Sequence, residues 1–248
     1  MANRTHFVRL RTICPQTFFA GSSFQSTLIV ENVMEQEVAP RTHGLRIDWA
    51  ARYDLLAWLL THGRERQLRE RFIDLARLAA GNAVLDVGCG TGTLAIASTR
   101  HVAPTGVVCG IDASPAMISR ARRKATRAGV DVDFRIAAAE SLPFPDNRFD
   151  VVLSTLMLHH LPRKTRQQGA REIKRVLQLG GRVLAVDFGR GNRRGLLSHF
   201  HRHGHVAVKD MVALFEDADL TVTTTGAVGM SDLNFVLAQN LRTSQPVG

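Results

Sequence analysis

The stretch AVLDVGCGTGTLAIA, residues 83–97, decides the fold that this sequence predicts. It starts with an apolar run of the length of a buried strand and ends with residues that suit a helix. Between them lie alternate glycines, whose backbone takes unusual dihedrals and lets a ligand approach closely. The first amides of the helix point into the same crevice. We therefore expect a nucleotide-type site outside the carboxyl end of a strand in an open α/β sheet.

The spacing of the three glycines, Gly88, Gly90 and Gly92, indicates the kind of nucleotide. A dinucleotide fingerprint reads G-x-G-x-x-G and holds a pyrophosphate at the helix N-terminus. Here the pattern is D-x-G-x-G-x-G, and Asp86 lies two residues before the first glycine. A carboxylate there suits a ligand with an amino group and suits a pyrophosphate poorly. The spacing thus argues against a nicotinamide-dependent oxidoreductase. The alternative to a ligand site is a tight turn between strand and helix that binds no ligand.

The D-x-G-x-G-x-G pattern resembles motif I of the class I S-adenosylmethionine-dependent methyltransferases. The resemblance implies S-adenosyl-L-methionine as the cofactor. It also implies that the three glycines and Cys89 surround the methionine part of the cofactor, and that Asp86 orients its amino group.

A second strand, 107–111, ends in Asp112. An acid after this strand lies where the two ribose hydroxyls of an adenosine would lie, and a carboxylate can accept hydrogen bonds from both. The alternative role for Asp112 is a helix N-cap, because Ser114 and the proline after it also look like a helix start. In the resemblance, Ala113 and Met117 flank the adenine.

The third strand, 132–136, is followed by AAAESLPFPDNRFD, which resembles the family's G-D-A-E-x-L-P-F segment. The aspartate of that segment usually accepts from the adenine amine, and Ala138 stands in its place here. We expect the backbone amide of Ala139 to meet the adenine ring instead. Glu140 is a further candidate near the cofactor, although it is not equivalent to the missing aspartate.

The fourth strand, 149–156, leads into MLHHLP, which matches the family's frequent L-H-H-L sequence. His159 and His160 are the candidate catalytic residues, because an imidazole with a pKa near ~6.5 can act as a general base at neutral pH. A structural role is the alternative. A helix over 164–179, ended by two glycines, then precedes a fifth strand over 182–188.

The segment WAARYDLLAWLLTHGRERQLRERF resembles the lead-in helices of the ubiquinone and menaquinone C-methyltransferases, also called the methyltransferase type 11 group. In that group these helices cap the cofactor and help to wall the acceptor pocket. Tyr53 is therefore a candidate cofactor contact, with side-chain packing as the alternative. Ala57 stands where the family has an asparagine.

The predicted organisation has three parts. Residues 1–40 look like a disordered or misannotated extension. Two interpretations of it are a transit peptide and a true translation start at Met34. Residues 41–240 form one methyltransferase domain, divided into cap helices over 45–78, a cofactor-binding core over 83–188, and an acceptor-side loop and closing hairpin over 189–240. Residues 241–248 form a loose tail. Four alternate histidines in the loop lack the carboxylates or cysteines of a metal site, and we expect no metal; they are His199, His201, His203 and His205.

Composition limits the setting. The 248 residues are enough for one α/β domain with a sizeable core. No apolar stretch reaches about 18 residues, so no transmembrane helix is predicted. The three scattered cysteines fit a reducing compartment, and we expect a cytoplasmic protein.

The formal net charge of +10 raises the question of polyanionic partners. The basic residues are spread over several predicted helices, at 64–71, 120–127 and 163–175, which favours solvated helix faces. We do not expect nucleic acid as a partner, and peripheral contact with an anionic membrane stays open.

Together these features predict an α/β fold with a doubly wound, seven-stranded, mostly parallel sheet, Rossmann-like, with the last strand antiparallel and N-terminal cap helices. The resemblance implies methyl transfer to a small or lipophilic acceptor, in particular C-methylation of a quinone precursor. Phospholipid N-methylation and secondary-metabolite O-methylation are alternatives. A non-catalytic cofactor-binding protein with nucleic-acid affinity is an alternative of another class, which salt-dependent binding of DNA or RNA without methyl incorporation would favour.

Overall fold

The computed structural model describes residues 64–189, 205–229 and 232–241. All of them belong to one structural unit of the chain. The predictions for the extension 1–40, for Tyr53 and most of the cap helices, for the loop over 190–204 and for the tail after 241 lie outside the described residues.

The described strands form one seven-stranded sheet in the order β3-β2-β1-β4-β5-β7-β6. The strand β7 runs antiparallel to both of its neighbours, whereas β1 to β5 pair in parallel. The predicted doubly wound sheet with an antiparallel last strand is therefore confirmed. The strands are β1 Ala83–Val87, β2 Val107–Asp112, β3 Asp133–Ile136, β4 Phe149–Thr155, β5 Leu177–Phe188, β6 Thr221–Ala227 and β7 Leu233–Gln239.

Helices cover both faces of the sheet. The described helices are α1 Glu65–Ala76, α2 Thr93–Val102, α3 Pro115–Ala128, α4 Arg163–Val176 and α5 Val208–Glu216, and a 3₁₀ turn spans Leu158–His160. The apolar sides of α1, α2 and α3 pack in one hydrophobic cluster, and those of α4 and α5 pack in another. None of these described helices combines the length and the apolar character that a bilayer crossing requires.

The alternation of strand side chains explains why there are two clusters. Leu85 of β1 and Val152 of β4 are neighbours in the sheet and belong to the cluster under α4 and α5. Val84 and Val151, one residue earlier in each strand, belong to the cluster under α1, α2 and α3. Successive side chains of a strand point to opposite faces, so a strand buried on both sides is apolar throughout. The continuous apolar run in β1 follows from this.

Helix α4 ends three residues earlier than the sequence predicts. The helix was expected to reach 179, but Leu177 already has extended backbone dihedrals (φ −74°, ψ 126°) and pairs with Phe149 as the first residue of β5. Its buried carbonyl accepts a hydrogen bond from Asn240 Nδ2 at 2.8 Å. Tertiary contacts with Phe149 and Asn240 therefore override the helical pattern before Gly180 is reached.

Helix α1 is the only described part of the predicted cap helices. Its buried residues, Leu68, Phe72, Ile73 and Ala76, pack on the sheet together with α2 and α3. Arg182 at the start of the parallel part of β5 donates to the carbonyls of Ala76 (2.7 Å) and Arg77, so it satisfies orphan acceptors at the end of α1. The capping of a ligand by the segment 45–78 stays a prediction.

Candidate functional site

The candidate site lies at the carboxyl ends of β1, β2, β4 and β5. The order of the strands reverses between β1 and β4, because β1 connects to β2 on one side and β4 continues to β5 on the other. Open α/β sheets bind ligands in the crevice at such a switch point. The glycine-rich turn after β1, Asp112 after β2 and the histidine pair after β4 all lie at this edge, as the sequence predicts.

The glycine turn can be built only with glycine at its first and last positions. Gly88 and Gly92 have φ of +75° and +76°. A Cβ on Gly88 would lie 2.4 Å from Met157 Cγ, and one on Gly92 would lie 2.5 Å from Phe134 Cζ. Both the left-handed backbone and the close neighbours therefore exclude a side chain.

Hydrogen bonds fix this turn over the end of β2. The amides of Gly88 and Cys89 both donate to the carbonyl of Ile111, at 2.9 and 2.8 Å. The amide of Gly90 donates to Asp112 Oδ2 at 3.0 Å. The turn and the acid that the sequence pairs with it are thus parts of one hydrogen-bonded assembly.

Asp112 is half-buried, and each of its carboxylate oxygens accepts one backbone hydrogen bond. The second bond comes from the amide of Ser114 to Oδ1, at 2.8 Å. Burial raises the pKa of the Asp112 carboxyl, and the two amides lower it in part. A carboxylate has about four acceptor positions, so two stay available for further donors such as hydroxyls. The alternative role as N-cap of α3 is wrong, because Ser114 is the N-cap and accepts from the amide of Met117.

Asp86 is the most unusual group of the site. Its side chain is 1 % exposed, and neither carboxylate oxygen has a hydrogen-bond partner among the described residues. Burial, and then the nearby charge of Asp112, raise the pKa of Asp86 to about 7, while the amide of Ala95 lowers it by a smaller amount without reaching hydrogen-bond geometry. A buried carboxyl group without a partner is costly and needs an explanation such as a bound ligand.

The surroundings of Asp86 are electronegative. Burial, followed by the charges of Asp86 and Asp112, raises the pKa of the Cys89 thiol well above its ordinary value. Cys89 is therefore protonated at neutral pH and is no nucleophile. Two carboxylates beside one glycine turn attract a cationic ligand and repel a phosphate, in a protein whose overall charge is positive.

The side of the site next to β3 is apolar. Ala138 is buried and forms an isolated β-bridge with Ser141. Its methyl side chain offers no hydrogen-bond acceptor at the position where the resemblance places a carboxylate. Ala139 and Glu140 are half-buried, and the carbonyl of Ala139 packs close to Gly169 of α4. On the facing segment after β2, Ala113 is half-buried and Met117 is buried. Contacts of these residues with an adenine stay predictions.

The chain turns sharply after β4. Leu156 has φ of +57°, a left-handed conformation that is rare for a bulky residue. Its amide still bonds to the carbonyl of Val186 at 2.8 Å, so the neighbouring strand holds this conformation in place. The turn sets Met157 against Gly88, as the close Met157 Cγ contact shows. Strained backbone of this kind is concentrated at functional sites.

The 3₁₀ turn after Met157 brings His159 to Asp187 at the end of β5. His159 Nδ1 lies 2.7 Å from Asp187 Oδ1, and the amide of His159 donates to Oδ2 at 3.0 Å. The ring of His160 lies 3.9 Å from that of His159, between ring centroids. Both candidate histidines are therefore at the predicted edge, and His159 has a buried acidic partner.

Met157 and Asp187 belong to the site, although the sequence patterns above do not predict them. Asp187 does carry a signal, because it is the next-to-last residue of a buried apolar strand, as Asp86 is. Met157 gives no such signal, because its contact with Gly88 depends on the turn at Leu156. Among the described residues, no group of three histidine, cysteine, aspartate or glutamate side chains could hold a metal ion; of the four alternate histidines only His205 is described.

Comparison with known proteins shows a similarity over the part of the chain that carries the glycine turn and the histidine pair. Residues 84–181 match the family of methyltransferase domains. The chain is 37 % identical over 160 residues to the ubiquinone/menaquinone biosynthesis C-methyltransferase UbiE of Pseudomonas putida. The match covers 64 % of this chain and 62 % of that protein, so the chain spans somewhat less than two thirds of the length of such relatives.

Solved structures share the fold. A SAM-dependent methyltransferase from Aquifex aeolicus superimposes with a TM-score of 0.67 at 22 % identity, covering 79 % of this chain and all of that one. The YcgJ protein of Bacillus subtilis has a TM-score of 0.55 at 30 % identity, covering 65 % of this chain and 72 % of that one.

Proposed function

We propose that this chain is an S-adenosylmethionine-dependent methyltransferase that transfers a methyl group from S-adenosylmethionine to a small or lipophilic acceptor. The observation that carries the proposal is the buried carboxylate of Asp86, which has no hydrogen-bond partner among the described residues. It stands beside a glycine turn and a second carboxylate. A ligand with an ammonium group and ribose hydroxyls satisfies both acids.

The residues present fit this cofactor. Asp86 would accept from the amino group, and the charge of that group would lower the pKa of Asp86 from about 7. Asp112 would accept from the ribose hydroxyls with the acceptor positions that Gly90 and Ser114 leave available. The adenine would be enclosed by Ala113, Met117 and Ala139. It would meet no side-chain hydrogen-bond acceptor at position 138, because Ala138 has none. Tyr53 and Glu140 are further proposed contacts.

The bound cofactor supplies an electrophilic methyl group on a sulfonium. The protein then has mainly to align an acceptor atom with that methyl group and to exclude water. Met157 presents an apolar side chain at the glycine turn, and His159 lies two residues further along the same turn. We propose His159 as the group that takes a proton from the acceptor and His160 as a neighbour that lines the same face.

C-methylation of a quinone precursor is the acceptor chemistry that we propose first. Its support is the 37 % identity with a UbiE protein, which extends over 160 residues. Phospholipid N-methylation and O-methylation of a secondary metabolite are the competing proposals. They differ in the atom that receives the methyl group, so they can be separated by the product.

The test of this function is a methyl-transfer assay with methyl-labelled S-adenosylmethionine. A demethylated quinol, phosphatidylethanolamine vesicles and a catechol are offered as separate acceptors. We expect label in the quinol, on a ring carbon. Label in the lipid or on the catechol oxygen would contradict the proposed acceptor class and support one of the competing classes. Binding of the cofactor with no transfer to any acceptor would contradict the proposed activity.

Replacing Asp112 by alanine is expected to weaken binding of S-adenosylhomocysteine by roughly 10²-fold, because two charged hydrogen bonds to ribose are lost at up to about 1.5 kcal/mol each. Loss of the bond from the Gly90 amide also loosens the turn. Titration calorimetry measures the change. The matched control is Asp133→Ala, which removes an acid of β3 that pairs with Arg135 instead. Equal affinity of wild type and Asp112→Ala would remove Asp112 from the site.

We also propose a cytoplasmic protein that touches anionic membranes at its periphery. Helices α3 and α4 both carry exposed arginines, for example Arg127 and Arg171. The two helices cover opposite faces of the sheet, so a flat bilayer can meet only one of them. Co-sedimentation with phosphatidylglycerol vesicles at about 50 mM salt, lost at about 300 mM, is the expected result; equal sedimentation with neutral vesicles would contradict it.

A further inference from the structure

Asp187 is the most completely hydrogen-bonded buried acid of the described residues, and nothing in the proposed binding of the cofactor uses it. It is the next-to-last residue of β5 and has no exposed surface. Three N–H groups point at its carboxylate: the amide of His159 at 3.0 Å from Oδ2, the amide of Phe188 at 2.7 Å from Oδ1, and the His159 ring at 2.7 Å from Oδ1. A buried charge requires such donors.

The carboxylate determines which ring nitrogen of His159 carries the proton. An ionised carboxylate only accepts hydrogen bonds, so His159 Nδ1 must donate its hydrogen to Asp187 Oδ1. In the neutral imidazole the other nitrogen, Nε2, then has a free lone pair. Because Nδ1 and Nε2 lie on different edges of the ring, Nε2 points away from Asp187.

The ring of His159 is held on more than one side. Its edge packs against the ring of Phe188, with 5.4 Å between centroids and 69° between planes, and the ring of His160 lies 3.9 Å away. The His159 side chain is 8 % exposed. Its backbone amide is also bonded to Asp187, so the carboxylate fixes both the backbone and the ring of the same residue. Such double attachment orients a group rather than merely burying it.

The turn also places this pair beside the glycine turn. His159 is two residues after Met157, whose Cγ closely approaches Gly88. The carboxyl ends of β4 and β5 are adjacent in the sheet, and Asp187 is one residue beyond Val186, the partner of Thr155. The pair of side chains therefore lies at the same edge as Asp86 and Asp112, on the side away from β2 and β3.

We infer that Asp187 is a positioning residue for proton removal: it holds His159 as the Nδ1–H tautomer, so that Nε2 accepts the proton that the methyl acceptor loses. This rests on the proposed methyl transfer. For a carbon acceptor, the carbon forms its bond to the methyl group while the sulfur–methyl bond breaks and leaves its electron pair on sulfur. The same carbon then loses its proton to Nε2, and the C–H electron pair restores the aromatic ring.

Asp187 has a second effect in this step. The imidazolium that forms carries a positive charge, and the adjacent carboxylate stabilises it at 2.7 Å. Water then takes the proton from Nε2 and returns the neutral ring.

The first test observes the tautomer directly. Long-range ¹H–¹⁵N spectra of the ¹⁵N-histidine-labelled full chain, with the His159 signals identified by their loss in His159→Gln, distinguish a protonated nitrogen from a bare one. At pH 8 we expect His159 to show a protonated Nδ1 and a bare Nε2. The opposite tautomer in the wild type would overturn the inference, whatever the activity of the enzyme.

The second test uses Asp187→Asn. Its amide group can present an N–H to the ring, which favours the Nε2–H tautomer and removes the free lone pair. We expect kcat for the demethylated quinol to fall roughly 10²-fold or more, with the KM of the acceptor and the affinity for S-adenosylhomocysteine changed less than about threefold. The Nε2 signal of the variant should become that of a protonated nitrogen.

Asp150→Asn is the matched control. Asp150 also accepts a backbone hydrogen bond, from Ala83 at 2.7 Å, and one from a side chain, but it lies at the amino end of β4. The kcat of Asp150→Asn should stay within about threefold of that of wild type. Unchanged kcat in Asp187→Asn, or an equal fall in both variants, would overturn the positioning role. A wild type that binds no S-adenosylhomocysteine would contradict the proposed function, while the tautomer in the spectra would still decide the Asp187 contact.

Discussion

Asp86→Asn is expected to weaken binding of S-adenosylhomocysteine at pH 8 by roughly 10- to 100-fold, since a charged hydrogen bond to an amino group contributes about 1.5–3 kcal/mol. The same substitution is expected to stabilise the protein without ligand. The carboxylate is buried without a partner among the described residues, and the neutral amide of asparagine removes its charge. We expect the Tm of the unliganded variant to exceed that of wild type by about 5 °C at pH 8.

The raised pKa of Asp86 determines how the stability difference between wild type and Asp86→Asn changes with pH. The pKa of Asp86 is raised in the folded protein to about 7 from an ordinary value of 3.8. The folded state therefore holds its proton more tightly than the unfolded state does, and wild type loses stability as the pH rises from about 4 to about 7. Asparagine has no such loss. The difference in Tm between variant and wild type should be small at about pH 4 and full at about pH 8.

Thermal unfolding of both proteins at the two pH values measures this difference, and Asp133→Asn is the control. Asp133 is half-exposed and paired with Arg135, so its replacement should change neither the affinity for the ligand nor the pH dependence. An Asp86→Asn variant that is less stable than wild type at pH 8, yet binds the ligand with unchanged affinity, would contradict the assignment of Asp86 to an amino group.

Gly92→Ala is expected to lower the free energy of unfolding by about 2–4 kcal/mol and to abolish cofactor binding. The left-handed backbone at φ +76° costs about 1 kcal/mol with a side chain. The Cβ would also lie 2.5 Å from Phe134 Cζ and 2.8 Å from Ala121 Cβ, and overpacking of a core costs a further ~1–3 kcal/mol. Urea denaturation measures the free energy of unfolding.

Gly129→Ala separates the cost of the left-handed backbone from the cost of overpacking. Gly129 ends helix α3 with φ of +65°, and a Cβ there would meet no atom within 4 Å. We expect it to cost only about 1 kcal/mol, from the backbone alone, and to leave the affinity for the cofactor unchanged. Equal losses of stability in the two variants would mean that the packing of the glycine turn against Phe134 and Ala121 contributes nothing.

The sheet and the cofactor side of the site could be predicted because their signals are local in the sequence. A strand buried on both faces must be apolar throughout, so β1, β2 and β4 are visible as short apolar runs. Each of the first two has an acid as its last or next-to-last residue, and the ends of parallel strands meet at one edge. The positions of Asp86 and Asp112 at one edge of the sheet follow from these two facts together.

The remaining features depend on contacts between distant residues. The pairing of His159 with Asp187 joins positions 28 residues apart and requires the turn at Leu156, which no local pattern indicates. The early end of α4 likewise depends on Phe149 and Asn240. The N-cap role is an alternative for Asp112 at the level of sequence because Ser114 and the proline after it look like a helix start, and only the geometry shows that Ser114 caps the helix while Asp112 holds the glycine turn.

Titration calorimetry of the wild-type chain with S-adenosylhomocysteine and with 5′-methylthioadenosine tests the central claim most directly. The two ligands share the adenosine, but only the first carries the amino group that Asp86 is expected to bind. We expect a micromolar Kd for S-adenosylhomocysteine at pH 8, roughly 10- to 100-fold weaker binding of methylthioadenosine, and loss of most of that difference at pH 5.5, where Asp86 of the unliganded protein is protonated. Equal affinity for the two ligands at pH 8, or no binding of either at millimolar concentration, would contradict it.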